Sequence, residues 1–366
     1  MAWIPIALAF LLVLLGYLSL SIMGIFGAAN KLHVDGRTAI LTGSSYGMGR
    51  EIAMLLSQRG ANVILVARSA DKLQSAMSYA QAAAKHPSTQ RFHFISADLT
   101  LESENERVLA EATAWNHGAV PEIVWANAGT STPGLFVELR SETLRKQMDI
   151  NYWAAAYLAH FTLKAWLYPD VPYKPQEKGA KPEPPRHFIA TSSVLGYVNI
   201  TGYAAYAPAK SALKSLCDGL VHEVNLYNGA RRSIAAGGQQ PAPFDVVIQS
   251  IFPATIQSPG LEQENRTKHP ATKQLEESDP AQTELEAATA AVQALEAGRY
   301  STATNWLGKL MRFSSMGSAR RDNPIIDTLG MWLASIIWLF LGPDMEGKVW
   351  NWGKKNGMPK YNPDSI

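Results

Sequence analysis

The sequence predicts an α/β protein: one doubly wound parallel sheet with helices on both faces, placed behind an N-terminal transmembrane helix. Three observations carry that expectation. Short runs rich in Val and Ile alternate with stretches of helical composition and length along most of the chain. The first run ends in a three-glycine turn, TGSSYGMGR, ahead of a helix-like segment. Trp3 to Ala29 carries no charged side chain across 27 positions, where about twenty apolar residues suffice to cross a bilayer.

Composition sets the outer limits. With 366 residues and 47% hydrophobic side chains, the chain can bury a sizeable core. A net charge of +2 gives no reason to expect nucleic acid as a partner. Cys217 is the single cysteine, which rules out an intrachain disulfide, and no Cys/His cluster has zinc-ligand spacing, so no metal is expected. At the N-terminus a retained anchor competes with a cleaved signal peptide, whose apolar core is about 7–15 residues behind a basic start. Here the run is longer and no Lys or Arg precedes it, which favours the anchor. Lys31, His33 and Arg37 follow the run, and the positive-inside rule then places the remainder in the cytosol.

The elements follow in order. TAILT at Thr38–Thr42 reads as a buried strand, followed by the glycine turn and the helix MGREIAMLLSQRG. NVILVA at Asn62–Ala67 is a second strand, with a helix through Ser69–Lys85 behind it. Arg91–Ala97, Glu122–Ala126, His187–Thr191 and Phe244–Phe252 supply four more. Near-continuous apolar strands suit a parallel sheet covered on both faces. Pro169–Arg186 holds six prolines and is expected as an exposed loop, 169–186. Residues 257–284 are polar and charged, just past a strand end where ligands sit in such sheets. They read either as plain surface loop or as a mobile substrate lid. Gly330–Gly342 is an uncharged run of 13, too short to span comfortably. A buried core helix, an oligomer contact and a shallow membrane-dipping segment all fit it. The expected organisation is an anchor at 1–30, a single α/β domain at 31–310 and an extension at 311–366.

Two motifs carry chemistry. TGSSYGMGR spaces Gly43, Gly47 and Gly49 as GxxxGxG, a variant of the usual dinucleotide fingerprint. Glycine permits a tight turn and close approach of a pyrophosphate, and the helix N-terminus behind it favours negative charge, so a Rossmann-like site is expected. An NAD site wants an acid about twenty positions on, to hold the ribose hydroxyls. The second strand instead ends in VARSADK, so Arg68, helped by Lys72, points to the 2′-phosphate of NADPH. Further on, NITGYAAYAPAKSAL sets Tyr206 four residues before Lys210, one turn apart on one helix face. An ammonium beside a phenol favours the phenolate, so taken alone the pair reads either as a proton donor with a lowered pKa or as two ordinary surface residues.

TGxxxGxG at 42–49, Asp98 in ADLT, Asn127-Ala128-Gly129, Asn151 in MDIN, Ser193, and Tyr206 with Lys210 together resemble the short-chain dehydrogenase/reductase family. The resemblance covers roughly residues 36–310, and Ser193 precedes Tyr206 by the family's usual interval of thirteen. It implies Tyr206 as proton donor and Lys210 as the cation that lowers its pKa and binds the nicotinamide ribose. Ser193 would bond the carbonyl oxygen, with Ser192 off by one position, and Asn151 would hold a relay water. On the cofactor side the resemblance implies Gly43, Ser45, Tyr46, Gly47, Gly49, Asp98, Leu99, Asn127 and Gly129. Ile256 and Ser258 in FPATIQSPG, with Thr255, would lie near the carboxamide or diphosphate. Tyr46 departs from the family, filling a turn position that is usually small, which puts the shape of that loop in doubt. Tyr203 has no role in the pattern beyond packing or a pocket wall.

The anchor, the cytosolic orientation, the NADP-type strand end and the C-terminal apolar patch resemble the family's 3-ketodihydrosphingosine reductase branch, in the endoplasmic reticulum membrane. This implies NADPH-dependent reduction of a long-chain lipid ketone, 3-dehydrosphinganine, to sphinganine. Such a substrate partitions into a bilayer by about 0.8 kcal/mol per methylene. A carboxylate at the pocket mouth, Glu262 or Glu264, would suit its ammonium. A membrane-anchored steroid or retinol dehydrogenase is the nearest alternative, and a non-catalytic NADPH-binding membrane scaffold is a second. Asn199 and Asn265 sit in glycosylation-type sequons; a glycan at Asn199 would obstruct the site, which disfavours a lumenal domain. Relatives of this kind self-associate, so a homo-oligomer is the default expectation.

Overall fold

The computed structural model describes residues 30–171, 173, 183–232, 241–277 and 279–356. The expected N-terminal anchor over residues 3–29, and most of the proline-rich loop, lie outside the described residues.

Six strands form where the apolar runs place them: β1 Thr38–Thr42, β2 Asn62–Ala67, β3 Phe92–Ser96, β4 Ile123–Ala126, β5 Arg186–Thr191 and β6 Val246–Phe252. Two short strands, β7 Ile256–Gln257 and β8 Gln282–Thr283, pair with each other, and β9 Ser301–Ala303 extends the main sheet. Between them run α1 Gly47–Ser57, α2 Ala70–Ala82, α3 Glu102–Trp115, α4 Ser141–Met148, α5 Ala154–Leu167 and α6 Ala207–Ala230. There follow α7 Pro259–Thr267, α8 Pro270–Glu276, α9 Glu284–Glu296, α10 Trp306–Ser314 and α11 Pro324–Asn356. The main sheet is parallel throughout, in the order β3-β2-β1-β4-β5-β6-β9. Strand order reverses between β1 and β4, which opens a crevice at the carboxyl ends of those strands.

The two-residue period of a strand sorts its side chains onto two cores. Ile40, Ile64 and Val124 are fully buried on one face, against Val108 of α3, Leu158 of α5 and Leu213 of α6. Leu41, Leu65 and Trp125 are fully buried on the other, against Ile52 of α1, Leu73 of α2 and Ala291 of α9. Each such side chain contributes about 1.5–3 kcal/mol relative to exposure. The sheet is thereby a rigid floor for whatever its carboxyl edge presents.

Two expectations need correcting. Residues 257–284 are not a loop: they form β7, α7, α8 and β8. Ser258 caps α7 by accepting from the Leu261 N–H, and Pro259 occupies the first turn, where its missing N–H costs nothing. Thr283 and Glu286 close a reciprocal capping box at the start of α9.

The uncharged run at 330–342 is only the middle of α11, which extends for 33 residues and passes through Pro343. The helix continues beyond both ends of that run, and by length and composition alone α11 is apolar enough to cross a membrane. Its first turns are pinned to α10 by a buried Arg312–Asp327 ion pair. Gly330 permits close packing there, since a Cβ would meet the Phe313 ring at 2.6 Å. Beyond that point Trp332, Leu339, Phe340 and Trp350 are 65–75% exposed, which excludes a buried core helix. Helix α10 straddles the boundary expected at residue 310.

Candidate active site

The glycine turn lies at the carboxyl end of β1, against the end of β4. Gly43 has φ +65°, and a Cβ there would sit 2.7 Å from the Ala128 Cα. At Gly49 a Cβ would strike the Gly43 carbonyl oxygen at 2.1 Å, so the turn and the helix close on each other only without side chains. Gly47 opens α1, whose N-terminus has no side-chain cap and no acid in its first turn. Its free N–H groups form a ready anion site. Asn127 braces the turn: its N–H donates to the Thr42 hydroxyl at 2.9 Å and its side-chain amide to the Gly43 carbonyl at 3.4 Å.

Charge is distributed around this turn in a pattern that fits an NADP-type ligand. Arg68 is exposed at the end of β2, and its guanidinium forms no hydrogen bond or ion pair among the described residues. Lys72 lies on the first turn of α2, with its ammonium 5.6 Å from the centre of the exposed Tyr46 ring. Tyr46 thus turns outward from its crowded position and packs on a cation. Asp98 holds Thr100 through its N–H and hydroxyl at 3.1 and 2.8 Å, and Leu99 is buried beside it. Ser45 is half-buried in the turn.

The catalytic candidates meet where β5 ends and α6 begins. Ser193 follows β5, its hydroxyl accepts from the Leu195 N–H at 3.2 Å, and it lines the same cavity wall as the Tyr206 phenol. Ser192 points the other way and donates to the Lys210 carbonyl at 2.8 Å, which ties the end of β5 to α6. Lys210 is buried, and its ammonium donates to the Thr191 carbonyl at 3.1 Å. Asn151 sits in a π-helical turn, Asp149–Trp153, of the kind that often marks a functional position. Its amide is committed: Oδ1 accepts from the Thr130 N–H, and Nδ2 donates to the Thr130 and Gln147 carbonyls. Gly129 lets Asn151 and Lys210 close in, since a Cβ there would lie 2.8 Å from Asn151 Oδ1 and 3.0 Å from Lys210 Nζ.

The expected electrostatic tuning of Tyr206 is not what this arrangement produces. Burial raises its pKa above the ordinary phenol value, the neighbouring Ser193 hydroxyl works against that, and the Glu264 carboxylate adds to it. Lys210 is itself so buried that its own pKa falls to about 7. The Tyr206 hydroxyl therefore keeps its proton near neutral pH.

Ser193, Tyr206 and Lys210 line a cavity of about 440 Å³ together with Gly43, Tyr46, Gly47, Gly49, Asn127, Gly129, Thr255, Ile256 and Ser258. Asn151, Arg68, Lys72, Asp98, Leu99 and Ser45 stand outside its wall. The wall also includes Glu264 of α7, Lys268, Glu276 of α8, and Leu341, Met345 and Lys348 of α11, of which the sequence singles out Glu264 alone. Of the two carboxylates considered for the mouth, Glu262 is exposed and off the wall, whereas Glu264 is on it. A second cleft of about 710 Å³, lined by Arg37, Glu122 and Arg186 among others, lies by the amino ends of the strands and includes none of the candidate residues.

Comparison with known proteins agrees with this geometry. Residues 37–254 match the family model described as short chain dehydrogenase. The chain is 46% identical to the 3-ketodihydrosphingosine reductase ksrA of Aspergillus fumigatus, over 97% of this chain and 95% of that one. It is 41% identical to the 3-ketodihydrosphingosine reductase gsl-3 of Neurospora crassa, over 93% and 89%. Among solved structures, a short chain dehydrogenase/reductase from Burkholderia phymatum in complex with NAD is similar in fold, with TM-score 0.59 and 18% identity, over 80% of this chain and 99% of that one.

Proposed function

Because the chain belongs to the short chain dehydrogenase family, we propose that it reduces the ketone of 3-ketodihydrosphingosine, a long-chain amino ketone, using NADPH. The observation that carries this reading is a shared wall. Ser193, Tyr206 and Lys210 line one cavity with Leu341 and Met345, which belong to a helix whose outer face is apolar and exposed. A reactive centre next to such a surface suits a substrate that is mostly hydrocarbon.

The cofactor end fits NADPH. The uncapped start of α1 and the bare glycines can take a pyrophosphate. Arg68 and Lys72 offer unneutralised charge where an acid would otherwise favour NAD. Bound there, NADPH supplies the hydride.

The remaining work falls to side chains. Ser193 and Tyr206, which line the same cavity, grip the ketone oxygen. Tyr206 holds its proton at rest and releases it to that oxygen as negative charge builds. Lys210, whose pKa of about 7 sits near working pH, is placed to move a proton behind it. Asn151 fixes the geometry by clamping Thr130 and the π turn.

In this reading residues 3–29 anchor the enzyme in the endoplasmic reticulum membrane, with the catalytic domain on the cytosolic side. The outer face of α11 rests in the lipid, so that substrate enters from the bilayer; self-association remains compatible with the same face. NADPH consumption with 3-ketodihydrosphingosine, steroid ketones and retinal tests the substrate. Preference for the sphingoid ketone supports the reading, and preference for either rival replaces it.

A further inference from the structure

Beside Tyr206 the cavity wall holds a small charged cluster that the reaction chemistry does not use. Tyr203 packs 6.1 Å from Tyr206, ring centre to ring centre, and buries its hydroxyl between two carboxylates. It donates to Glu276 at 2.7 Å and, more loosely, to Glu264 at 3.4 Å. Lys268 is buried beside them, 2.7 Å from Glu276 but 3.9 Å from Glu264. One lysine thus serves two carboxylates and is committed to Glu276. The third carboxylate on the wall, Asp279, accepts from the Thr255 hydroxyl at 3.2 Å. Lys348, at the α11 side, is an exposed partner of Asp344 at 2.8 Å.

Glu264 is the member left short of a partner. Burial, with Glu276 alongside, pushes its carboxyl up to about 7 despite Lys268. A second cation at this position would offset both effects. The reaction brings one. In a 2-amino-3-ketone the nitrogen is bonded to the carbon next to the carbonyl, so an ammonium must lie close to the oxygen that Tyr206 engages. Glu264 lines the same cavity as Tyr206, one ring away: Tyr203 packs beside Tyr206 and its hydroxyl reaches Glu264.

We infer that Glu264 receives the substrate's ammonium and so selects amino ketones over plain ketones, an inference that rests on the substrate reading above. Tyr203 acts here as a positioning residue, holding the two carboxylates at a fixed separation. With the nitrogen at Glu264, the hydrocarbon chain is left to run past Leu341 and Met345 towards the exposed face of α11.

The test uses the full-length enzyme and two ketones: 3-ketodihydrosphingosine and a 1-hydroxy-3-ketone of equal chain length without the amine. The ratio of their kcat/KM values is measured for wild type, Glu264→Gln and Glu264→Asp. Glu264→Gln is expected to lower the preference for the amino ketone about 10- to 100-fold, mostly through KM, as loss of a charged hydrogen bond predicts. Glu264→Asp should recover part of it. Equal losses on both ketones, or no loss on either, overturn the assignment. Wild-type enzyme that reduces neither, yet consumes NADPH with another ketone, removes the substrate reading and takes this assignment with it.

Discussion

Lys210 holds its ammonium 5.7 Å from the centre of the Tyr206 ring, with a hydrogen bond to the Thr191 carbonyl rather than to the phenol. One helical turn separates the two residues, yet burial governs both, raising the tyrosine and lowering the lysine. The pair is better described as a protonated phenol backed by a readily titrated amine than as a phenol made acidic by a fixed cation. That description has consequences for stability, cofactor choice and catalysis.

Lys210 should cost the protein stability. Its pKa falls from 10.5 to about 7 on folding, so between those values the unfolded chain binds more protons and stability rises with pH. Below about pH 7 the buried ammonium carries its full cost, on the order of a few kcal/mol. Lys210→Met is expected to resist denaturant better than wild type at about pH 6 and to lose that advantage towards about pH 10, while losing reductase activity. Urea denaturation of the cofactor-free protein at the two pH values measures this. A variant less stable than wild type at the acid end contradicts it.

Arg68 should discriminate between cofactors. Its exposed guanidinium is unpaired among the described residues and no acid ends β2. Arg68→Ala is expected to weaken NADPH binding about tenfold or more while leaving NADH nearly unchanged. Titration of both dinucleotides by fluorescence checks it. Equal weakening of the two would remove the phosphate contact.

The outer face of α11 should hold lipid. Leu339 and Phe340 are 70% and 73% exposed, and burying each in a bilayer is worth about 1.5–3 kcal/mol. Leu339→Glu with Phe340→Glu, made in protein lacking residues 1–29, should abolish flotation with phospholipid vesicles. If flotation persists and the oligomer dissociates instead, the face is a contact between copies.

The central strands β1, β2 and β4 were legible because they are buried on both faces, which near-continuous apolar runs satisfy. Strands β1 and β2 end where their runs end, Thr38–Thr42 and Asn62–Ala67. β9 was not legible: Ser301–Ala303 has three residues and no apolar pattern, and it is a strand only because β6 offers an edge. The uncharged run ends at Gly342, but α11 continues through Pro343, and contacts further along, such as Trp352 against His269, accompany it. In the site, spacing places Tyr206 beside Lys210, but spacing cannot report burial, which reverses the expected electrostatics. The sequence offers Glu262 and Glu264 equally and is silent on Lys268. Only the docking of α7 and α8 over the cavity buries Lys268 and turns Tyr203 from a packing residue into part of a charged wall.

The most direct measurement is the rate of NADPH oxidation with 3-ketodihydrosphingosine by wild-type enzyme and by Tyr206→Phe. Removing a positioned proton donor should lower kcat about 10²- to 10⁴-fold with little change in KM and an unaltered fold by circular dichroism. Turnover close to wild type in the phenylalanine variant would show that the proton comes from elsewhere, and the account of this cavity as a Tyr206-driven reductase site would not stand.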